Sequence, residues 1–573
     1  MAAPVFSVRE IPFSYSGSWF GISYVVAAHE YADDLHLVSH QTGMHPILRF
    51  VPTVGGARVT TTVRATPSRL TWTSDEGRVD LAYERDDTIR LRGRGLGMRV
   101  TAAEPLLTPF SGTYLYRDPV DGSHVFTSYE SGRRYRVTVL TGGPADAVGV
   151  ERLGSGERGL HLPGDDGEPW EIAVEELDGG RPPYVASAGF DQIAASVETE
   201  FSAFADAVAP WRTLGTPAAE QAAYVLWSAT VRPAGFVRRP AVLMSKHWMD
   251  KVWSWDHCFN ALALAEGLPE LAWDQFQVPF DHQDEAGGLP DSVTHSEVLY
   301  NFVKPPIHGW ALGRLRERLP RDLDRAALTQ VYGQLEAWTN FWLTARRAPG
   351  EELAHYHHGN DSGWDNATTF DPGHVIQTAD LAAFLVLQMR ELAGLAGELG
   401  RDDDAAAWRR AADRMCTGLL ETLWTGDRFQ TREAGSGRTW TSASLLDVMA
   451  IVLGPALSTE RRAALVRRIK EHLTPYGLAS EPISSGEYRS DGYWRGPIWA
   501  PSTVLVEDGL RRGGFAELAD EVSARFRALC EKSGFAENFD AGTGAPLRDR
   551  AYTWTASGYL ILAEAYERRR APR

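Results

Sequence analysis

Near residue 200 the apolar period of this chain changes from two residues to between three and four, and few architectures accommodate such a change. Up to about residue 195, short runs such as 57–64, 69–73 and 135–140 alternate Val, Thr and aromatic side chains with polar ones. Clusters of Gly, Pro and Asp divide them, and many short strands at close spacing fit an antiparallel β-sandwich better than βαβ units. Pro182 and Pro183, then a polar Ala-rich stretch over 191–209, read as the exit into a helical linker. Twelve segments with helical spacing follow, beginning near Pro217, Trp255, Glu270, Pro306, Arg321, Thr378, Asp403, Thr439, Ser458, Pro497, Phe515 and Tyr552. The sixth is apolar almost throughout, as a helix buried on most sides is, and the seventh is amphipathic, as an outer helix is. Six inner and six outer helices make an (α/α)6 toroid. The expected fold is therefore multi-domain: a β-rich sandwich-like domain over 1–195, a helical linker over 196–215 and an all-α (α/α)6 catalytic domain over 216–573. The basic run Arg568 to Arg570 reads as a solvated terminus.

The formal net charge of −17 argues against nucleic acid or an anionic membrane as partner and favours a small neutral or locally recognised substrate. Three cysteines, Cys258, Cys416 and Cys530, provide neither a disulfide framework nor metal-ligand spacing. No basic region followed by an apolar core opens the chain, and no apolar run approaches membrane-spanning length, so a cytoplasmic location is expected. P-loop, dinucleotide and Ser-His-Asp signatures are absent, and no cofactor or metal is expected. Asn366-Ala-Thr matches a glycosylation sequon of little meaning in a chain that is not secreted.

Nineteen tryptophans are a high count for this length, and several of them gather with acids in six loops between the helices. In order these are Lys246 to Phe259, Asp284 to Asp291, Lys304 to Trp310, Gly359 to Phe370, Gly492 to Trp499, and Ala536 to Asp540 leading into Tyr552 to Thr555. Each singly reads as structure; six at intervals around a toroid read as a site. Indole beside carboxylate suits sugar chemistry, because a ring face covers C–H surface while the acid reaches a hydroxyl or a glycosidic oxygen. Glycoside hydrolysis needs two carboxylates, one protonated and one ionised, and Asp365 beside Trp364 and Glu537 beside Asn538 are candidates. Trp255, Asp256, Trp364, Arg495 and Trp499 are expected to line the sugar subsite, with Asp361, Tyr493, Trp494 and Trp554 in the same binding loops. Asp361 is the residue expected to be able to replace Asp365. Lys304, His308 and the loop from His355 to His358 are expected on the leaving-group side, where Lys304 would pair with a glycerate-type carboxylate. Metal binding by His355, His357 and His358 is disfavoured, since ligands so close in a loop do not easily share one coordination geometry.

Five of these motifs together resemble glycoside hydrolase family 63 and its clan: Trp255 to Phe259, Lys304-Pro-Pro, Ser362-Gly-Trp-Asp-Asn, Tyr493 to Trp499 and Glu537-Asn-Phe-Asp. That group includes processing α-glucosidase and the mannosylglycerate and glucosylglycerate hydrolases, with family 37 trehalases as relatives. The resemblance covers about 216–570 and implies an (α/α)6 barrel, inversion at the anomeric carbon and metal-free catalysis. It places the general acid on Asp365 and the general base on Glu537. Asp361 stands where relatives often carry glutamate, and Phe539 where tyrosine is usual. The function expected is an inverting exo-acting α-glycosidase on a short α-glucoside (disaccharide, oligosaccharide or glycosylglycerate). The alternatives are a catalytically inactive carbohydrate-binding protein and an epimerase or isomerase on the same toroid, which would want histidines as its acid–base pair.

Overall fold

The structure is a computed structural model that describes residues 4–142, 145–164 and 168–570. It divides into two compact units that interleave in sequence: residues 1–207, 223–251 and 294–297 form the first, and 208–222, 252–293 and 298–573 the second.

Two antiparallel sheets build the first unit. One orders the strands Phe20–Ala27, Glu30–Ser39, His45–Val54, Gly97–Ala102, Gly159–Leu162 and Asp146–Val148. The other orders Thr113–Arg117, His124–Ser128, Arg134–Thr141, Trp170–Leu177, Thr88–Arg94, Arg78–Arg85, Arg69–Thr73 and Thr62–Thr66. Aromatic contacts join the inner faces, Phe20 with Tyr83 at 5.4 Å and Phe50 with Trp72 at 6.4 Å between ring centroids. The run 57–64, read as one strand, is two. Ala57–Arg58 pairs with His45–Val54, and Thr62–Thr66 joins the other sheet. Helix α1 (Phe190–Val208) forms where the linker was expected, but its start is docked: Phe190, Ile193 and Ala194 pack with Ala82, and Arg92 covers the Phe190 ring.

The remaining helices are α2 (Ala219–Ala229), α3 (Asp256–Leu264), α4 (Pro269–Gln277), α5 (His308–Arg318), α6 (Arg325–Thr344), the single turn α7 (Gly359–Ser362), α8 (Ala379–Glu398), α9 (Asp402–Thr422), α10 (Thr459–His472), α11 (Ala500–Arg512), α12 (Ala516–Ser533) and α13 (Thr553–Arg570). The segment expected from Thr439 is a 3-10 helix over Leu445–Ala456, broken where Gly454 takes φ 52° ahead of Pro455. In the second unit α3 packs on α5, α5 on α8, α8 on the 3-10 segment, that segment on α11, α11 on α13, and α13 back on α3. The sequence explains this ring. All of α3 is buried, as are the first twelve residues of α13 and most of α8 and α11. Outside it, α4 lies on α3, α6 and α9 on α8, α10 on the 3-10 segment, and α12 on α11 and α13. The outer helix α9 buries only the stripe Ala405, Ala412, Met415 and Leu419. Arg568 and Arg569 are not a free tail: Arg568 pairs with Glu266 and Glu564, and Arg569 with Asp520. Among the described residues no helix is long and apolar enough to cross a membrane.

Candidate active site

Ring helices begin where the unusual loops end. Trp255 precedes α3 and Asp256 is its first residue, Trp499 immediately precedes α11, and Tyr552 and Trp554 open α13. The stretch at 359–370 is not a plain loop. His358 Nδ1 accepts the Asn360 amide at 3.1 Å and caps α7, which Gly363 ends in the left-handed conformation, φ 73°. Glycine is required there on a second count, since a Cβ would stand 2.5 Å from Trp255 Cζ2. The chain then turns so that the Asp365 carbonyl lies against Gly359, where a Cβ would meet it at 2.1 Å.

Asn366 ties this turn to the next loop. Its Nδ2 donates to Gly492 O at 3.0 Å, its Oδ1 accepts the Trp494 amide at 3.0 Å, and its carbonyl accepts Arg495 Nε at 2.8 Å. A third loop joins through Ile498, whose amide donates to Phe539 O at 2.7 Å while the Phe539 amide returns to Ile498 O. Residues Asn538–Phe539 pair in turn with Pro546–Leu547, and the Glu537 amide donates to Asp549 O at 2.7 Å. Three segments distant in sequence are thereby locked together, the first two through the side chains of Asn366 and Arg495 and the last two through backbone bonds.

An indole chain lines them. Trp364 meets Trp494 at 4.3 Å, Trp494 stacks on Trp499 at 4.1 Å and 3°, Trp499 meets Trp554 edge-on at 5.5 Å, and Trp554 meets Trp255 edge-on at 5.7 Å. Trp499 Nε1 also donates to Tyr493 O at 2.9 Å.

The carboxylates sit in this apolar frame. Burial raises Asp365 to about 6, with Lys304 acting against the shift and Asp291 adding to it. Burial raises Glu537 further, to about 8; Asp549 adds, while Arg548 and a hydrogen bond from Tyr493 oppose. Tyr493 feels both Glu537 and Asp365, and Tyr552 feels Glu537 and Asp256, so one field joins them. Burial also pushes Asp256 well above the usual carboxylate range, and its Oδ2 has no hydrogen-bond partner among the described residues. Burial works against the charge of Lys304, yet Asp291, Asp365 and Asp256 together hold it protonated. Lys304 pairs with Asp291 at 2.8 Å and donates to Asn360 O at 2.8 Å.

Three expected site residues are placed elsewhere. Both Asp361 oxygens are occupied, by Arg346 Nη1 at 2.6 Å, the His357 amide at 2.8 Å and the Val303 amide at 3.1 Å, so Asp361 braces the turn and cannot stand in for Asp365. His308 is sealed among Phe276, Phe280 and Trp338, donates from Nε2 to Ser254 O, and burial lowers it to about 4. Arg495 faces outward to Asp371 and Glu487 and does not join the carboxylates. The cation beside Glu537 is Arg548, which pairs with Asp491 at 2.6 Å, donates to Asn538 Oδ1 and covers the Tyr493 ring at 4.9 Å. Tyr493 and Arg548 both take left-handed backbone, φ 63° and 58°, a strain for non-glycine residues that their shared contacts hold in place. The sequence reading passed over Arg548 and Asp549; their signal was the charged run 548–550 inside an otherwise apolar approach to α13. A cavity of about 720 Å³ lies in the first unit beside Arg78, Asp80 and Arg92, but both arginines are bound to Asp80 and no indole is among its lining residues.

The family model for the mannosylglycerate hydrolase MGH1-like glycoside hydrolase domain matches residues 249–555, the span that carries every one of these side chains. The chain is similar to a mannosylglycerate hydrolase of Rubrobacter radiotolerans, 24% identical over 53% of this chain and 89% of the relative. It is also similar to a glucosylglycerate hydrolase of Mycolicibacterium hassiacum, 23% identical over 60% of this chain and 97% of the relative. In fold it resembles the crystal structure of a GH63 mannosylglycerate hydrolase from Thermus thermophilus in complex with glucose, with TM-score 0.52 and 22% identity over 60% of this chain and 98% of that one.

Proposed function

The chain belongs to the mannosylglycerate hydrolase MGH1-like glycoside hydrolases, and from that premise we propose that it is an inverting, exo-acting α-glycosidase on a short α-glucoside, with Asp365 as general acid and Glu537 as general base. The observation that carries this reading is the pair of buried carboxylates, both raised in pKa and linked through Tyr493, in a frame of indoles. The closed succession of α3, α5, α8, the 3-10 segment, α11 and α13 is the inner layer of the (α/α)6 toroid in this reading.

In the reaction Asp365 transfers its proton to the glycosidic oxygen as the bond from that oxygen to the anomeric carbon breaks. A water attacks the opposite face of the carbon and gives its proton to Glu537, leaving a β-configured sugar and a free alcohol. Asp256 Oδ2 accepts a sugar hydroxyl, while Trp255, Trp364, Tyr493, Trp494, Trp499 and Trp554 enclose the ring. Lys304 keeps Asp256, Asp291 and Asp365 from all charging unopposed. An inverting pair needs room for the water, so the carboxyl groups are expected roughly 6.5–9.5 Å apart in the substrate complex.

The pKa order, about 6 for Asp365 and about 8 for Glu537, is the reverse of the one expected from the sequence, where Glu537 was to rest ionised. The productive form is therefore a minority near neutrality, about one molecule in a hundred for groups two units apart. Brønsted behaviour offsets part of that cost, because an acid of lower pKa and a base of higher pKa each transfer a proton more readily. NMR of the first-formed anomer tests the reading: β product supports it, and retained α product overturns it. The epimerase alternative finds no support in His308, which is sealed among aromatic rings.

A further inference from the structure

Beyond the indole frame, a second set of rings adjoins the turn that carries Asp365. Phe302 lies 5.2 Å from His358 at 29°, and His358 stacks on His374 at 5.0 Å and 14°. Phe302 and His358 are half-buried and His374 is exposed, so the column reaches the surface. Its position is fixed. The residue after His358, Gly359, touches the Asp365 carbonyl, and the backbone that follows Phe302 is held by the Val303 amide on Asp361 and by Lys304 Nζ on Asn360 O. His358 Nδ1 accepts from the Asn360 amide, which orients the ring and leaves its proton on Nε2.

A general acid must stand beside the oxygen it protonates, so the surface adjoining Asp365 on its outward side meets the leaving group. Charge then decides what that group is. The cations that act on Asp365 and Glu537, Lys304 and Arg548, are both already paired, with Asp291 and Asp491. Neighbouring Arg346 and Arg495 are likewise bound, to Asp361 and Asp371. An anionic aglycone would find none of these cations free to receive it, and a charge left unpaired in a buried site is costly. A sugar instead presents C–H faces to the rings and hydroxyls to Nε2.

We infer that Phe302, His358 and His374 form the leaving-group subsite beside Asp365, and that it takes a neutral sugar and not a carboxylate-bearing aglycone. The inference rests on the glycosidase reading above and departs from the glycerate in the names of its relatives only in the leaving group, which is the part of the substrate the column would hold.

The test compares three substrates on the full chain: α-glucosyl fluoride, a panel of α-linked glucose disaccharides, and glucosylglycerate with mannosylglycerate. Fluoride departs without protonation and without a leaving-group subsite, so its hydrolysis reports the glycosidase reading alone. The expected result is cleavage of the fluoride and a kcat/KM on at least one disaccharide above that on either glycosylglycerate. His374→Ala should lower disaccharide kcat/KM about three- to tenfold through KM, the value of one lost stacking contact, with a smaller loss on fluoride, and His374→Phe should restore it. Fluoride cleavage with a preference for a glycosylglycerate overturns the inference and spares the glycosidase reading, as does an equal loss on both substrates in His374→Ala. No cleavage of the fluoride overturns both.

Discussion

Gly363 stands directly beneath the indole of Trp255, so that a Cβ on the one would come within 2.5 Å of Cζ2 on the other. This contact joins the turn that carries Asp365 to the start of α3, and it leaves no space for any other residue at 363. Gly363→Ala should fold, because the strain is local, but melt a few degrees lower and displace Trp255 or the turn. A misplacement of about 1 Å at a reacting group costs on the order of 10²-fold in rate. Thermal melting and kcat/KM measured together check this; an alanine variant with unchanged kcat/KM would falsify the placement of Trp255 against the substrate.

Asp365→Asn and Glu537→Gln should each reduce turnover by about 10²–10⁴-fold while leaving the circular dichroism spectrum unchanged. A loss below tenfold in either variant removes that residue from the mechanism.

The pH dependence separates the two roles. On α-glucosyl fluoride no acid is needed, so Asp365→Asn should retain activity that depends on Glu537 alone. A base must be ionised, and Glu537 is raised to about 8, so the rate should climb as pH rises through about 8 and level off above it. A plateau already reached by pH 6 would contradict the burial of this carboxyl.

Stability carries the same signature. Glu537 is raised from 4.5 to about 8 in the folded chain, so its contribution to stability is fully present below about 4.5 and is lost as pH rises through about 8. Glutamine cannot ionise and escapes that loss. Glu537→Gln should therefore melt with the parent near pH 4.5 and several degrees above it at pH 9. Melting curves across this range, with a gap that fails to widen, refute the shift.

Lys304→Met tests the buried ion pair. Removing one partner leaves Asp291 charged among Asp256 and Asp365, a loss of about 3–5 kcal/mol for a buried pair. Adding Asp291→Asn should recover most of that stability in denaturant titrations. Activity should not return, because Asp256 and Asp365 would still lack their cation.

The helical ring was legible because burial writes itself into composition: α8 is apolar almost all round and α9 shows a single stripe, so the layers could be told apart before any coordinate. The tryptophan-rich loops were legible for the same reason, since large rings beside acids are costly to place without purpose. What each acid does was not. Asp361 and Asp365 look alike in the sequence, and only the donors aimed at Asp361 show it to be a brace. Asn366 looked like a sequon and is a three-bond clamp, because backbone partners such as Gly492 and Trp494 leave no trace in side-chain pattern. Arg548 was invisible beside Arg495 because a cation flanked by aromatics attracts notice, whereas one placed by a strained hairpin does not.

The return of α13 onto α3 sets a schedule for synthesis. A ribosome releases Trp255 and Asp256 first, Asp365 well afterwards, and Glu537 with Trp554 only near the end of the helical part. Until α13 arrives, the sides of α3 and α11 that it covers stand uncovered, and the proposed centre is incomplete. On the proposed mechanism the nascent enzyme is silent until α13 has emerged, and that interval of open apolar helix is when a chaperone has most to protect.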